Sequence, residues 1–293
     1  MNIFLHRDDL RIHDNKGLKK ASENGKTLPV YIDDPRIRER TGRNKKAFRE
    51  RSLEKIDQKY RERDSGLIYK KGKTAEKLKK ISNEYGVDKI YFNRLYSPIK
   101  RRIESEIAEL DLDSERFKDR LLVEPQQLLE EFGTFSPFYR EWKKANKDSE
   151  FGEPENLATV DEQKFSPEIS CNIDLPDAGE EAALEKWRDF RDNRLKSYKD
   201  RRDEVASPEA VSRLSMYYSS GILGLRKILD DVERLIKETD DSDRIRNYAK
   251  YRNELAWREF FYQVLWHNPE TVRQNYRDFE NEIQWKNDSE EFE

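Results

Sequence analysis

Three residues in the segment 253–270 have the types and the spacing to bind a flat ligand. On a helix, Glu254, Trp257 and Arg258 stand at i, i+3 and i+4, so a carboxylate, a large ring and a cation share one face. The ring can stack on a nucleobase, the carboxylate can hydrogen-bond to it, and the guanidinium can hold a phosphate. The pattern also fits an ion pair beside a core tryptophan, and the residues alone leave both interpretations open.

Two further clusters have the chemistry to contact phosphate. The segment Ser212-Arg213-Leu214-Ser215 combines two hydroxyls with a guanidinium at a predicted helix start, although a serine there is more often a simple helix cap. An earlier stretch holds Tyr198 among several cations. These cations are Arg194, Lys196, Lys199, Arg201 and Arg202. The stretch could touch DNA phosphates, although a solvated helix face is the usual meaning of such a pattern.

Composition excludes several classes of protein. The 58 basic and 61 acidic residues give a net charge of −3, so any contact with DNA must use a local basic patch. The histidines His6, His13 and His267 show no metal-ligand spacing, and Cys171 is the only cysteine, so we expect no metal and no internal disulfide. No apolar run approaches the roughly 18 residues that cross a bilayer, and no signal peptide is visible. We expect a cytoplasmic protein without a membrane partner.

The elements that must position these residues begin with an alternating β/α pattern. Short β-prone runs at 3–5, 28–32, 67–69, 89–92 and 120–123 are separated by charged, helix-like stretches. This rhythm predicts an α/β domain with a doubly wound parallel sheet over residues 1–130. Asp14 is expected to cap the helix that follows the first strand.

The chain changes character after the predicted sheet. Residues 131–182 are rich in Pro, Ser, Asp, Glu and Gly, which predicts a long connector. Apolar residues then recur at spacings of three and four over 183–237 and 242–267, so 183–293 is predicted to be all-α. The run from Asn287 to Glu291 resembles a helix start close to the end of the chain, which suggests a helix continued elsewhere or a frayed tail.

Taken together, several segments resemble the photolyase/cryptochrome family, and most closely the cyclobutane pyrimidine dimer DNA photolyases. In order, they are HRDDLRIHDN (6–15), TFSPFYREW (134–142), SRLS (212–215), NELAWREFFYQVLWHNPE (253–270) and NYRDFENEIQWKND (275–288). The resemblance implies an N-terminal α/β antenna-type domain, a connector, and the first part of a helical domain that binds flavin adenine dinucleotide (FAD). It also implies a possible antenna chromophore, which we leave open among deazaflavin, folate and flavin.

The resemblance implies roles in cofactor binding for several residues. Tyr198 and the segment Ser212 to Ser215 would contact FAD, and Arg258 would approach its phosphates. Val211 departs from the threonine that is usual in the family, which removes one hydroxyl from this part of the site.

Other residues would serve DNA repair. By resemblance, Glu254 would hydrogen-bond a flipped pyrimidine dimer, Trp257 would stack on it, and Arg202 would meet the DNA backbone. Trp285 would be the outer tryptophan of an electron-transfer chain. These positions favour a deoxyribodipyrimidine photo-lyase, an enzyme in which reduced FAD donates an electron to cyclobutane dimers in UV-damaged DNA under light.

One departure from the family shapes this expectation. The W-x-x-G-x-T-G-Y-P and H-N-x-x-R segments, which belong to the second half of the FAD domain, do not occur in the sequence. We therefore expect a split photolyase, in which a second polypeptide completes the FAD site. The alternatives are a cryptochrome-type photoreceptor and a non-catalytic, truncated remnant.

Overall fold

A five-stranded parallel sheet forms the first part of the protein. The computed structural model describes residues 1–128, 130–171 and 173–277. The strands are β1 (Asn2–His6), β2 (Thr27–Asp33), β3 (Ile68–Lys71), β4 (Lys89–Asn93) and β5 (Asp113–Phe117). Their order is β3-β2-β1-β4-β5, so the sheet grows first to one side of β1 and then to the other. This topology confirms the predicted doubly wound sheet.

Helices cover the sheet, and further helices follow it, with an irregular stretch between residues 145 and 171. Those between the strands are α1 (Lys16–Glu23), α2 (Pro35–Arg38), α3 (Arg43–Arg61), α4 (Thr74–Tyr85) and α5 (Pro98–Ala108). Those that follow the sheet are α6 (Phe135–Lys144), α7 (Glu180–Asn193), α8 (Tyr198–Arg201), α9 (Ser215–Ser220), α10 (Leu225–Lys237) and α11 (Ser242–His267). The predicted change from α/β to all-α structure is confirmed.

The prediction of the fifth strand was wrong. The strand lies at Asp113–Phe117, where the side chains are mostly charged because β5 is an edge of the sheet and borders water. The apolar run at 120–123 is instead irregular. Its residues Leu122 and Val123 are buried in the same hydrophobic core as residues of α11, which explains their apolar character.

Four buried charges join the end of the sheet to α10. Arg226 donates through Nη1 to Asp14 Oδ1 at 2.9 Å and through Nη2 to Asp119 Oδ1 at 3.1 Å. Arg11 donates to Asp119 Oδ2 at 2.6 Å. Because Asp14 faces this network, the predicted cap was wrong: the neighbouring Asn15 caps α1 by accepting a backbone N–H at 3.2 Å.

The two faces of the sheet pack into different cores. Ile3 and Leu5 of β1 lie in a compact core with residues of α4 and α5, whereas Phe4 lies in a larger core that continues through α3, α6, α7, α10 and α11. The alternation follows from the two-residue period of a strand. The division of the chain at 130 and 182 stays a prediction, and the predicted connector contains α6. Across the described ranges, no helix is both long enough and apolar enough to span a bilayer.

Candidate functional site

The candidate site lies along α11, which has 26 residues. Asp241 caps this helix by accepting backbone N–H groups at 2.9 and 3.2 Å. Leu255 and Ala256 are buried in the large core and fix the helix against it. Glu254 and Trp257 lie on another face and are only partly buried, so they remain accessible to a ligand.

Glu254 lies between two cations. Its Oε1 atom pairs with the Arg202 guanidinium, which comes from the chain just after α8, and with the Lys250 ammonium at 2.8 Å. Arg202 also contacts Asp203 at 3.2 Å. The predicted contact of Arg202 with the DNA backbone stays a prediction, since the arginine is engaged with Glu254 in the free protein.

Trp257 is held by other aromatic rings. Phe135, the first residue of α6, stacks on it with a centroid separation of 3.7 Å and an interplanar angle of 7°. Phe260 approaches edge-on, and Phe261 lies at 5.8 Å with an angle of 29°. Phe261 is 63% exposed, so this end of the aromatic group is open to solvent. The indole orientation is therefore set mainly by Phe135.

A phenol cluster, defined as Tyr198, Tyr218, Tyr251 and Ser212, lies next to Glu254. The Tyr198 and Tyr251 rings meet edge-to-face at 5.1 Å. The Tyr251 hydroxyl donates to Ser212 Oγ at 3.3 Å and lies 3.1 Å from the Tyr218 hydroxyl. Burial, together with the charge of Glu254, raises the pKa of Tyr198 to about 12, so its hydroxyl stays protonated. The cluster thus offers neutral hydroxyls beside a carboxylate.

The segment from Ser212 to Ser215 leads into the short helix α9. Arg213 has a φ of 53°, which lies in the left-handed region and turns the chain between the two serines. Leu214 is fully buried and offers no surface to a ligand in the free protein. The predicted cofactor contacts of these residues stay predictions.

Arg258 is a partly buried cation without a close carboxylate partner among the described residues. It donates to the Arg120 carbonyl at 3.3 Å and lies 4.8 Å from the Tyr262 ring. Burial, followed by the repulsion of Arg120, lowers the pKa of Arg258, although a guanidinium keeps its charge near neutral pH. A partly buried cation without an ion-pair partner in the described part of the chain favours an anionic ligand.

A cavity of about 430 Å³ opens where β1 and β4 end. We call it the strand-end cavity; its charged lining residues are Asp8, Lys100, Arg120 and Arg258. Asp8 forms an ion pair with Lys100. Burial acts to raise the pKa of Asp8, but Lys100 and Arg120 outweigh it and hold the pKa far below the usual range. Ligands of doubly wound sheets bind at such a strand-end crevice.

Arg120 links three elements around this cavity. Its guanidinium donates to the Tyr262 hydroxyl at 2.9 Å, to the Asp8 carbonyl at 2.8 Å and to the Ser219 carbonyl at 2.9 Å. The end of β1, α9 and α11 are therefore fixed to one another at the cavity wall.

Glu259 anchors α11 from its buried side. It accepts hydrogen bonds from the backbone N–H groups of Leu122 and Val123, the latter at 3.0 Å, and from Trp142 Nε1 at 2.7 Å. Burial raises the pKa of Glu259. The carboxylate thus ties α11 to the loop after β5 and to α6.

Several of these residues were missed by sequence reasoning. Lys250 and Phe261 lie on the same helical stripe as Glu254 and Trp257, and their spacing could have indicated them. Phe135 belongs to the TFSPFYREW segment but gave no local signal of its contact with Trp257. Trp285 lies outside the described residues.

Comparisons with known proteins identify the family of the chain. Residues 2–156 match the DNA photolyase family. The deoxyribodipyrimidine photo-lyase of Halobacterium salinarum is 28% identical, and the alignment covers 98% of this chain and 66% of the relative. The chain thus spans slightly less than two thirds of that protein's length.

Solved structures show the same fold. A class III photolyase from Agrobacterium tumefaciens superposes with a TM-score of 0.85 at 25% identity, covering 99% of this chain and 64% of that one. An archaeal photolyase from Sulfolobus tokodaii, solved with two FAD molecules, gives a TM-score of 0.76 at 25% identity, covering 100% of this chain and 66% of that one. Since the family match covers more than half of the sequence, the chain belongs to the DNA photolyase family.

Proposed function

We propose that this chain acts in the light-driven repair of cyclobutane pyrimidine dimers in DNA, as a deoxyribodipyrimidine photo-lyase that uses reduced FAD. The observation that carries the proposal is the common face of α11. It presents the Glu254 carboxylate and the Trp257 ring side by side, next to the phenol cluster and the partly buried Arg258 cation. The relative from Halobacterium salinarum bears the name of this activity.

The residues present fit part of an FAD site. Arg258 is a partly buried cation suited to the diphosphate, and the phenol cluster supplies hydroxyls and flat rings suited to the rest of the cofactor. Ser212 and Ser215 add hydroxyls, whereas Val211 adds none. When bound, reduced FAD would supply the electron that opens the cyclobutane ring and would receive it back.

The lesion would be bound by the exposed part of the α11 face. A dimer turned out of the duplex would stack against the indole of Trp257, whose orientation Phe135 maintains, and would hydrogen-bond to Glu254. The stacked Phe135 and Trp257 rings give this site an apolar surface on one side. Arg202 would contribute positive charge next to the DNA backbone.

The strand-end cavity is the candidate site for an antenna chromophore. Lys100 and Arg120 outnumber the Asp8 carboxylate in its lining, and Tyr96, Leu95 and Phe261 add apolar surface. In a smaller neighbouring cavity, the Nε and Nη1 atoms of Arg7 are buried without a hydrogen-bond partner among the described residues. This chemistry suits an anionic aromatic pigment, for which deazaflavin, folate and a second flavin are the candidates. Fluorescence titration with each pigment tests the choice, and binding that Lys100→Met leaves unchanged would contradict this location.

The proposal also includes a second polypeptide that completes the FAD site. Phe261 presents an apolar ring, 63% exposed, beside the proposed cofactor residues, and a further protein surface could cover it. Co-expression with a polypeptide that corresponds to the last third of the Halobacterium salinarum relative should give a yellow complex that elutes as one species. Separate, colourless chains would contradict this part.

Photorepair itself is tested with a defined substrate. The chain, alone and with that polypeptide, is loaded with FAD, reduced, and given an oligonucleotide that contains one thymine dimer. We expect blue light to restore the two thymines, as measured by chromatography. Glu254→Ala should keep the flavin absorbance and lower the repair yield at least tenfold, and full repair by this variant would contradict the role of Glu254. A wild-type complex that binds flavin but repairs no dimer would favour a cryptochrome-type photoreceptor.

A further inference from the structure

Lys250 has no role in the sequence predictions, yet it contacts the proposed lesion-binding carboxylate. It lies one helical turn before Glu254 on α11, and its ammonium lies 2.8 Å from Glu254 Oε1. Within the described residues, Glu254 is the one carboxylate within 4 Å of this ammonium. The contact is partly shielded from water, because the two side chains are only 28% and 30% exposed.

The two cations beside Glu254 act on the same oxygen. Arg202 and Lys250 both contact Oε1, and in the part of the chain that the structure describes Oε2 accepts no hydrogen bond. The carboxylate is therefore held at one atom and free at the other. A glutamate side chain has several rotatable bonds, and fixing it before a ligand arrives reduces the entropy lost on binding.

We propose that Lys250 is a positioning residue that, together with Arg202, directs Glu254 Oε2 towards an N–H donor of the lesion. An ionised carboxylate only accepts hydrogen bonds, so the matching group on the ligand is the imide N–H of a thymine-type or uracil-type ring. The role rests on the proposed function, because it requires a pyrimidine lesion at this site. Lys250 itself contacts neither the lesion nor a phosphate.

The experiment compares Lys250→Met with a matched control. Arg246→Met removes a cation one turn earlier on the same helix, where Arg246 pairs with Asp243 and not with Glu254. Fluorescence anisotropy measures binding of the chain to two oligonucleotides, one with a single thymine dimer and one undamaged, over a series of salt concentrations.

Lys250→Met is expected to weaken binding of the dimer oligonucleotide about tenfold, which is 1.4 kcal/mol, and to leave undamaged DNA unaffected. Lys250→Arg should restore most of the affinity, and the effect of Lys250→Met should vanish in a Glu254→Gln background because the two residues act together. Binding of an oligonucleotide whose dimer is methylated on the imide nitrogens should likewise be unaffected by Lys250→Met.

Other outcomes overturn the role. One such outcome is that Lys250→Met weakens binding of both oligonucleotides equally and reduces the slope of log affinity against log salt concentration by about one. In that case Lys250 contacts a phosphate. If Lys250→Met behaves like Arg246→Met on both oligonucleotides without a change of slope, then the contact is only a surface ion pair. A wild-type chain that shows no preference for the dimer contradicts the proposed function as well, which separates that failure from the other two.

Discussion

At the scale of single residues, the Phe135 ring and the Trp257 indole form the tightest aromatic contact of the site. Replacing Phe135 by Leu removes the stacked ring, at a cost of about 0.5–1.5 kcal/mol for the lost pair beyond its buried area. The indole should then become more accessible to solvent. We expect acrylamide to quench the tryptophan fluorescence of the variant more strongly than that of the wild type.

Two controls isolate the indole concerned among the 5 tryptophans of the chain. In a Trp257→Phe background, the Phe135→Leu change should no longer alter the quenching. Phe132→Leu removes a ring that packs against Phe138, at 6.0 Å, and should leave Trp257 shielded. Equal quenching in Phe135→Leu and wild type would show that Phe135 does not hold the indole.

The side chains that could be predicted to lie together are those whose positions are fixed by the spacing of residues on one helix. Glu254, Trp257 and Arg258 could be placed together because residues three and four positions apart on a helix lie on the same face. The pairing of Glu254 with Arg202 could not be predicted, since it joins residues 52 positions apart and depends on how α8 packs against α11. Their functional roles rest on family resemblance and stay predictions.

At the scale of elements, Glu259 holds α11 to α6 and to the loop after β5. Glu259→Ala leaves the backbone N–H groups of Leu122 and Val123 and the Trp142 indole N–H without their acceptor, and each unsatisfied buried donor costs about 1–3 kcal/mol. We therefore expect a loss of at least about 3 kcal/mol in the free energy of unfolding, measured by urea denaturation.

Two further substitutions test how much of this loss of stability comes from the hydrogen bonds of Glu259. Glu259→Gln keeps one carbonyl acceptor and should lose less than Glu259→Ala. Trp142→Leu removes the indole donor together with ring packing, so the double variant with Glu259→Ala should destabilise by less than the sum of the two. Full additivity would mean that the two side chains do not interact.

The loop after β5 also contains a carboxyl group with an unusual titration. Burial raises the pKa of Glu124 from 4.5 to about 7, with the charge of Glu259 as a smaller cause, while the Tyr96 hydroxyl donates to its Oε1. The folded protein therefore holds this proton more tightly than the unfolded chain. Its contribution to stability is present below pH 4.5 and is lost as the pH rises through 7.

Glu124→Gln should remove this dependence. Urea denaturation of the wild type at pH 5 and pH 8 is expected to show a decrease in stability that exceeds that of Glu124→Gln by up to about 3 kcal/mol. Identical pH profiles for the two proteins would mean that Glu124 is ionised in the folded protein at both pH values.

At the scale of the whole molecule, the buried network of Arg11, Asp14, Asp119 and Arg226 joins the sheet to the helical region. Removing one partner of a buried ion pair typically costs about 3–5 kcal/mol, because the remaining charges lose their compensation. Arg226→Met should destabilise the protein by about 3 kcal/mol, with a single shifted transition in thermal unfolding. The matched control is Arg234→Met on the same helix. The Arg234 side chain is 55% exposed, so its loss should lower the free energy of unfolding by less than about 1 kcal/mol. Equal effects of the two changes would contradict the structural role of the network.

The architecture of the whole molecule was largely predictable, because a β/α rhythm permits few topologies. The missed strand β5 shows the physical limit: an edge strand bordered by water has no apolar pattern, whereas the apolar run at 120–123 packs under α11 without being a strand. The buried charge network escaped prediction for a similar reason, since its four members come from three separate places in the sequence and no local pattern distinguishes them from surface charges.

The bonds to Glu259 have a consequence for the order of folding. They connect residues 117 to 137 positions apart, so α11 can reach its native environment only after a long loop has closed. Contacts of such large sequence separation form slowly, and during synthesis the sheet leaves the ribosome well before α11 exists. Until then the apolar residues around Leu122 and Trp142 have no partner. The nascent chain is therefore most exposed to aggregation and to chaperones in the interval between the completion of the sheet and the arrival of α11.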